Sequence, residues 1–278
     1  VGIHGGGDRL EIIRGDAFYQ SYICHLPRSV IELAQSGRLD MLSAVLFPST
    51  CDVIRNLSGI WKLLYPDVYV RYIDVPQVPD PAAAAHFWEG ELRRLLRDLG
   101  NVSGHQASDD DLHRSIALYN EMRDLIRTLY RARQERPWDV PTEELYLLMR
   151  AGEVIPPDEF ITQARAYLAA VEAEPRRPRA TSRVVITGAF CEQPPLGLIK
   201  SIERAGCYIV DDDFLLGNRF LSREVRLDGN PLRALAESFV HNELRTSVMY
   251  EGDSKGKKRL MQQRVSAARA DGIIFAAP

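Results

Sequence analysis

Hydrophobic and polar positions change their period several times along this chain, and each change predicts an element. Met41-Leu42-Ser43-Ala44-Val45-Leu46-Phe47 is a short apolar run of the kind carried by buried parallel strands. The stretch from Cys51 to Leu57 that follows has helical spacing, with Ser49 or Thr50 as its expected cap. Upstream, Pro27 to Ser36 reads as a helix closed by Gly37, and downstream Val68 to Ile73 alternates and branches like a strand. Val1 falls inside a further predicted strand. Residues 1–80 thus read as part of a doubly wound sheet.

Pro76, Pro79 and Pro81 interrupt the pattern, after which Phe87 to Leu99, Asp111 to Arg133, Thr142 to Arg150 and Asp158 to Ala173 carry apolar residues at helical spacing. Asp109 or Asp110 is the expected cap of the second of these. Their arginine-rich faces, Arg93, Arg94 and Arg97 on one helix and Arg131, Arg133 and Arg136 near another, are expected in solvent, with contact to an anionic ligand the alternative for some of them. Pro175 to Arg179 reads as a linker. Beyond it come strand Arg183 to Thr187, loop Gly188 to Pro194, helix Pro195 to Ala205, strand Cys207 to Val210 and a last strand from Gly272. The expected fold is α/β, with two doubly wound, mostly parallel sheet units at 1–80 and 181–278 and a helical segment at 81–180 between them. Because both ends fall in predicted strands, the chain is expected to be truncated at each.

Composition narrows the classes of partner. A formal net charge of -3 and a pI near 6.1 give no general attraction to nucleic acid, and no apolar run approaches the length of a membrane span. Neither kind of partner is expected. Four cysteines, at 24, 51, 191 and 207, lack the dense spacing of a disulfide scaffold, and without a visible signal peptide the expected compartment is the reducing cytoplasm.

Two of those cysteines carry the chemistry. Cys24 and Cys51 each stand at the mouth of a predicted helix, where backbone N–H groups and the helix dipole favour negative charge. A pair of thiolates so placed suits an iron–sulfur cluster, whereas two ordinary buried thiols are the plain alternative. His25, Ser29, Ser49 and Thr50 flank them and can bond sulfur or cap backbone. A cubane cluster needs further ligands, and Cys191 is a candidate third ligand, redox thiol or lining residue; Cys207 reads as a strand residue of the core. Asp212, within Asp211-Asp212-Asp213, and Glu192 are candidate proton donors, set against helix capping and solvation. Gly5-Gly6-Gly7 can let backbone approach a phosphate, or simply make a turn. Lys255-Gly256-Lys257-Lys258 resembles the end of a P-loop, but Glu251 stands where the earlier glycine is required, so ATP hydrolysis by this chain is not expected.

The stretches Gly15 to Cys24 with Arg28-Ser29, Phe47 to Asp52 with Arg55-Asn56-Leu57, and Thr187 to Glu192 together resemble the benzoyl-CoA reductase and 2-hydroxyacyl-CoA dehydratase family. The resemblance implies two homologous subunits that bind acyl-CoA and carry 4Fe-4S clusters, served by activator-type subunits that hydrolyse ATP and by ferredoxin as electron source. By motif, Cys24 and Cys51 match two cluster ligands. The third is expected just past the segment Ala270 to Phe275, beyond Pro278, which lowers the case for Cys191. Gly5 and Gly6 become candidate CoA contacts, and His25, Glu192 and Asp212 the candidate catalytic residues. The implied reaction is reduction of the benzoyl-CoA ring to a cyclic diene acyl-CoA. The alternatives are a 2-hydroxyacyl-CoA dehydratase subunit, which is a lyase, and a non-catalytic scaffold subunit.

Overall fold

Parallel strands joined by helices stand where the apolar runs predict them. The computed structural model describes residues 1–7, 10–76, 80–188, 194–213, 224–241 and 254–276. Its contacts gather the chain into two units, one comprising Ile3–Ile116 and Val225–His241, the other Val1–Gly2, Ala117–Glu224 and Asn242–Pro278.

In the first unit, α1 (His25–Gln35) leads to β1 (Ala44–Pro48), α2 (Asp52–Leu64) and β2 (Tyr69–Ile73), and the two strands pair in parallel from Ala44↔Tyr69 to Pro48↔Ile73. Val30, Ile31 and Ala34 of α1, Val45 and Phe47 of β1, and Leu57 and Trp61 of α2 share one core. Burial of this kind contributes roughly 25 cal/mol per Å² and fixes both helices against one strand. Leu46 remains 37% exposed, so β1 is covered on one face and not on both as its apolar run predicted. At the far end of the helix pair, Gln35 donates to the Tyr65 hydroxyl at 3.2 Å. Helix α3 (Pro81–Ser103) is tied to β2 by Arg71, which reaches Glu91 at 2.9 Å and Asp98 at 2.5 Å. Helix α8 (Pro231–Val240) returns to α3, where the Trp88 and Phe239 rings lie 5.0 Å apart.

Helix α4 (Asp109–Glu135) opens on Ser108 and not on the predicted Asp109 or Asp110. The Ser108 hydroxyl accepts the Asp111 N–H at 3.2 Å while the Asp111 carboxylate accepts the Ser108 N–H at 2.8 Å, a reciprocal capping box.

The second unit contains α5 (Thr142–Gly152), α6 (Pro157–Ala173), β3 (Ser182–Thr187), α7 (Leu196–Arg204), β4 (Cys207–Asp212), α9 (Ser254–Ala267) and β5 (Gly272–Phe275). Its sheet has the order β4-β3-β5, all parallel, with Val184, Val185, Ile186 and Thr187 of the central strand buried. The chain leaves β3 through α7 to β4 on one side and comes back to β5 on the other, which is the winding reversal of a doubly wound sheet. Residues 1–7 form no strand: the Gly2 N–H bonds the Glu153 carbonyl, and Gly5 and Gly7 turn through φ of 84° and 73°, which a ladder does not accommodate. The Lys255 to Lys258 stretch lies in the first turns of α9.

Arg133 corrects the expectation of a solvent face. It is fully buried, 2.6 Å from the equally buried Asp212, with its guanidinium 4.6 Å over the Tyr130 ring. Burial alone would drive it towards neutrality, but Asp212, Tyr130 and Asp211 outweigh that and hold it charged. Arg93, Arg94 and Arg97 do face solvent.

Candidate metal centre

Cys24 is the N-cap of α1 and Cys51 the N-cap of α2, and neither side chain makes a capping hydrogen bond to its helix. Both thiols are exposed and outside any disulfide. Cys51, and not the predicted Ser49 or Thr50, is the N-cap of α2. The Ser49 hydroxyl accepts the Val75 N–H at 3.1 Å, its own N–H reaches the Ile73 carbonyl at 2.9 Å, and the Thr50 N–H turns back to the Pro48 carbonyl at 2.8 Å. The loop carrying Cys51 is thereby pinned at the carboxyl end of β1.

The approach to Cys24 is fixed from the opposite side. A 3-10 turn, Gly15–Ala17, lies against α1, and the Glu32 carboxylate of that helix accepts the N–H groups of Ile13, Arg14 and Gly15 at 2.9, 2.6 and 3.0 Å. These bonds, that from Gly15 foremost, hold the Glu32 carboxyl below its ordinary value. A side chain at Gly15 would stand 2.1 Å from the Arg28 carbonyl oxygen, so only glycine lets turn and helix approach this closely. Ser29, fully buried, accepts the Gly6 N–H at 3.1 Å and donates to the Leu26 carbonyl at 2.9 Å, which adds the glycine run to the same support.

Tyr19, between the turn and Cys24, reports on both cysteines at once. Its phenol is pushed up to about 12 by burial, then by the charge of Cys24, then by that of Cys51. The Tyr19 hydroxyl is itself buried with no hydrogen-bond partner among the described residues. Nothing in the sequence singles it out, since an aromatic next to a turn carries no signal that its hydroxyl will be buried.

Of the other predicted site residues, His25 is the first residue of α1, half-buried and adjacent to Cys24. Cys191 and Glu192 lie outside the described residues. Asp212 is in the ion pair with Arg133, while its neighbour Asp213 accepts from the Thr187 hydroxyl at 3.0 Å and the Gly188 N–H at 3.1 Å. Cys207 packs, partly buried, against the core of its unit. At the carboxyl ends of β3 and β5, a cavity of about 680 Å³ is lined by Thr187, Met261, Val265 and Phe275 among others. Among the described residues no group of three or more His, Cys, Asp or Glu is placed to hold a metal ion. Two thiolates suit iron–sulfur chemistry in donor type, and the remaining donors are not among the described residues.

The chain belongs to the 2-hydroxyglutaryl-CoA dehydratase D-component family, which matches residues 1–278. It is 49% identical to the C subunit of benzoyl-CoA reductase of Thauera aromatica over 278 residues, all of this chain and 72% of that protein. It is 24% identical to the (R)-phenyllactyl-CoA dehydratase beta subunit of Clostridium sporogenes over 270 residues, 97% of this chain and 71% of the relative. With the beta subunit of (R)-2-hydroxyglutaryl-CoA dehydratase of Acidaminococcus fermentans the identity is 25% over 241 residues, 86% and 63% of the two chains.

Proposed function

We propose that this chain is the C-type, cluster-bearing subunit of a ferredoxin- and ATP-dependent benzoyl-CoA reductase, which reduces the aromatic ring of benzoyl-CoA to a cyclic diene acyl-CoA in anaerobic aromatic degradation. The observation that carries this reading over a dehydratase is identity: 49% along the whole chain to the reductase subunit, against 24% and 25% to the two dehydratase subunits.

The resident cofactor is a 4Fe-4S cluster, and what supports it is the placement of Cys24 and Cys51, both exposed and outside any disulfide, as the N-caps of α1 and α2. When bound, such a cluster supplies single electrons at low potential. The rest falls to this chain's own residues. Cys24 and Cys51 present sulfur where helix N–H groups favour negative charge, Glu32 and Ser49 fix the two approaches, and the α1–β1–α2 core keeps water from one side. The third ligand is supplied from outside the described residues.

His25 is the proton-transfer candidate nearest the centre, and Glu192 is a second. Asp212 we assign to the ion pair with Arg133 and not to proton transfer. Gly6 has its N–H committed to Ser29, so Gly5 is the better backbone contact for a CoA phosphate. The partners are a homologous cluster-bearing subunit, ATP-hydrolysing activator-type subunits and ferredoxin, in the cytoplasm. No described helix is long and apolar enough to cross a membrane.

The test is anaerobic co-purification with the partner subunits, followed by iron quantification and assay with benzoyl-CoA, ferredoxin and ATP. Electrons consumed in stoichiometric proportion to reduced ring support the reductase. Dehydration of a 2-hydroxyacyl-CoA with electrons needed only in catalytic amount would replace it with the lyase, and absence of iron and sulfide would leave a scaffold.

A further inference from the structure

At the amino ends of β3 and β4, a cavity of about 630 Å³ opens between α5, α7 and the segment Arg176 to Arg179 that leads into β3. Its size is that of a small-molecule site. It stands at the edge of the sheet opposite to Asp211, Asp212 and Asp213. The segment forms no helix or strand, yet its backbone is fixed at both ends: the Arg176 N–H reaches the buried Asp139 carboxylate at 2.6 Å, and the Arg179 N–H reaches the Tyr208 hydroxyl at 2.9 Å.

The charged side chains around the cavity fall into two sets. Arg176 is paired with Glu144 at 2.7 Å, Lys200 with Glu143 at 3.5 Å, and Glu203 accepts the Thr142 N–H at 2.9 Å. Arg177, Arg179 and Arg204 line the same cavity with no ion pair and no side-chain hydrogen bond among the described residues. Carboxylates are not scarce in a chain of 38 acidic and 35 basic residues, so this grouping is not a shortage of partners. Like charges drawn to one concave wall repel one another and focus a positive potential into it, which an anion relieves. Trp138 and Tyr208 line the cavity too, their rings 6.3 Å apart at 58°, and offer a planar ring an apolar, polarisable surface.

We propose that this cavity binds a nucleoside phosphate, with phosphate oxygens on Arg177, Arg179 and Arg204 and the base against Trp138 and Tyr208. Guanidinium forks match phosphate oxygens in geometry and charge, and stacking of the base adds affinity that phosphate alone lacks. The inference stands apart from the cluster reading. A free adenine nucleotide and the nucleotide end of CoA carry the same chemistry, and the experiment separates them.

The experiment is photolabelling of the full-length protein, purified with its partner subunits, by an azido-adenine analogue of ADP. Mass spectrometry locates the labelled peptides, so nucleotide held by ATP-hydrolysing subunits is counted separately. Label is expected on the segments around Trp138 and Tyr208, displaced by ADP and at least about tenfold less well by pyrophosphate, which has no base. Arg177→Ala and Arg204→Ala are each expected to weaken labelling about tenfold and to leave the thermal unfolding temperature unchanged, because neither side chain has a partner to lose. CoA that displaces the label as well as ADP does assigns the site to the CoA nucleotide; CoA without effect assigns it to free nucleotide. An unlabelled cavity, labelling indifferent to both substitutions, or pyrophosphate as effective as ADP would overturn the proposal. So would a lowered unfolding temperature in both variants, which would make the arginines structural. Complex that takes the label but holds no iron would overturn the cluster reading and leave this site standing.

Discussion

Glu32 and Gly15 meet across 3.0 Å, carboxylate oxygen to backbone N–H, and this contact joins the helix that Cys24 caps to the turn that precedes it. The same oxygen takes the Ile13 and Arg14 N–H groups, so a single side chain holds three consecutive residues of the approach.

Removing that oxygen has a cost that depends on pH. Glu32→Ala is expected to destabilise the unit by about 2–4 kcal/mol, because three N–H groups lose a charged acceptor, and to lower iron content with it. The folded-state carboxyl is held below its ordinary value of 4.5. Its contribution is therefore complete above that value and is lost as pH falls through the lowered one. Denaturant unfolding from pH 7 to pH 3 should show wild type and Glu32→Ala converging in stability at the acid end.

Serine in place of either N-cap cysteine should separate stability from function. Cys24→Ser and Cys51→Ser supply the hydroxyl cap that both helices lack, so the iron-free chain is expected to gain up to about 1 kcal/mol while iron content and ring reduction fall. Thermal unfolding of the iron-free protein beside iron assay of the complex reads both signs.

A larger effect is expected from the buried pair. Arg133→Ala or Asp212→Asn removes one partner of a fully buried ion pair and should cost about 3–5 kcal/mol. The complex that still assembles with Asp212→Asn should retain the wild-type pH–rate profile. A displaced limb in that profile would return Asp212 to proton transfer.

Gly15→Ala places a methyl 2.1 Å from the Arg28 carbonyl oxygen, a backbone atom that cannot swing aside. The turn must withdraw from α1, at about 1–3 kcal/mol, and Tyr19 moves with it. Differential hydrogen exchange should localise the loosening to residues 13–24, with the second unit unchanged.

The elements were legible because their periods are strong. The strand before Ser49, the helix after Cys51 and the buried run Val184-Val185-Ile186 all stand where apolar spacing puts them. Three features escape pattern because they are decided by hydrogen-bond partners that periodicity does not register. Arg133 reads as one more solvent-facing arginine until Asp212, 79 positions on, is brought against it. Ser49 reads as a cap, but its hydroxyl takes the Val75 N–H past the end of β2 and the N-cap position falls to Cys51. Ser108 is masked by the aspartates after it because its box is closed by Asp111 and not by the usual glutamate.

At the candidate centre, the place of both cysteines before helices was legible, and the buried hydroxyl of Tyr19 was not. Pattern reports which face a residue occupies, while the direction of one hydroxyl depends on how turn, helix and sheet are drawn together. Glu32 likewise carries no signal in an amphipathic stretch, although it is the residue that draws them.

Helix α8 comes home to α3 across more than a hundred intervening residues, through the contact of Trp88 with Phe239. A ribosome releases the chain from its amino end, so both thiols emerge well before the last helix of their own unit does. Metal delivered early would meet an unfinished host; on this account, assembly of the proposed centre waits until α8 has been made.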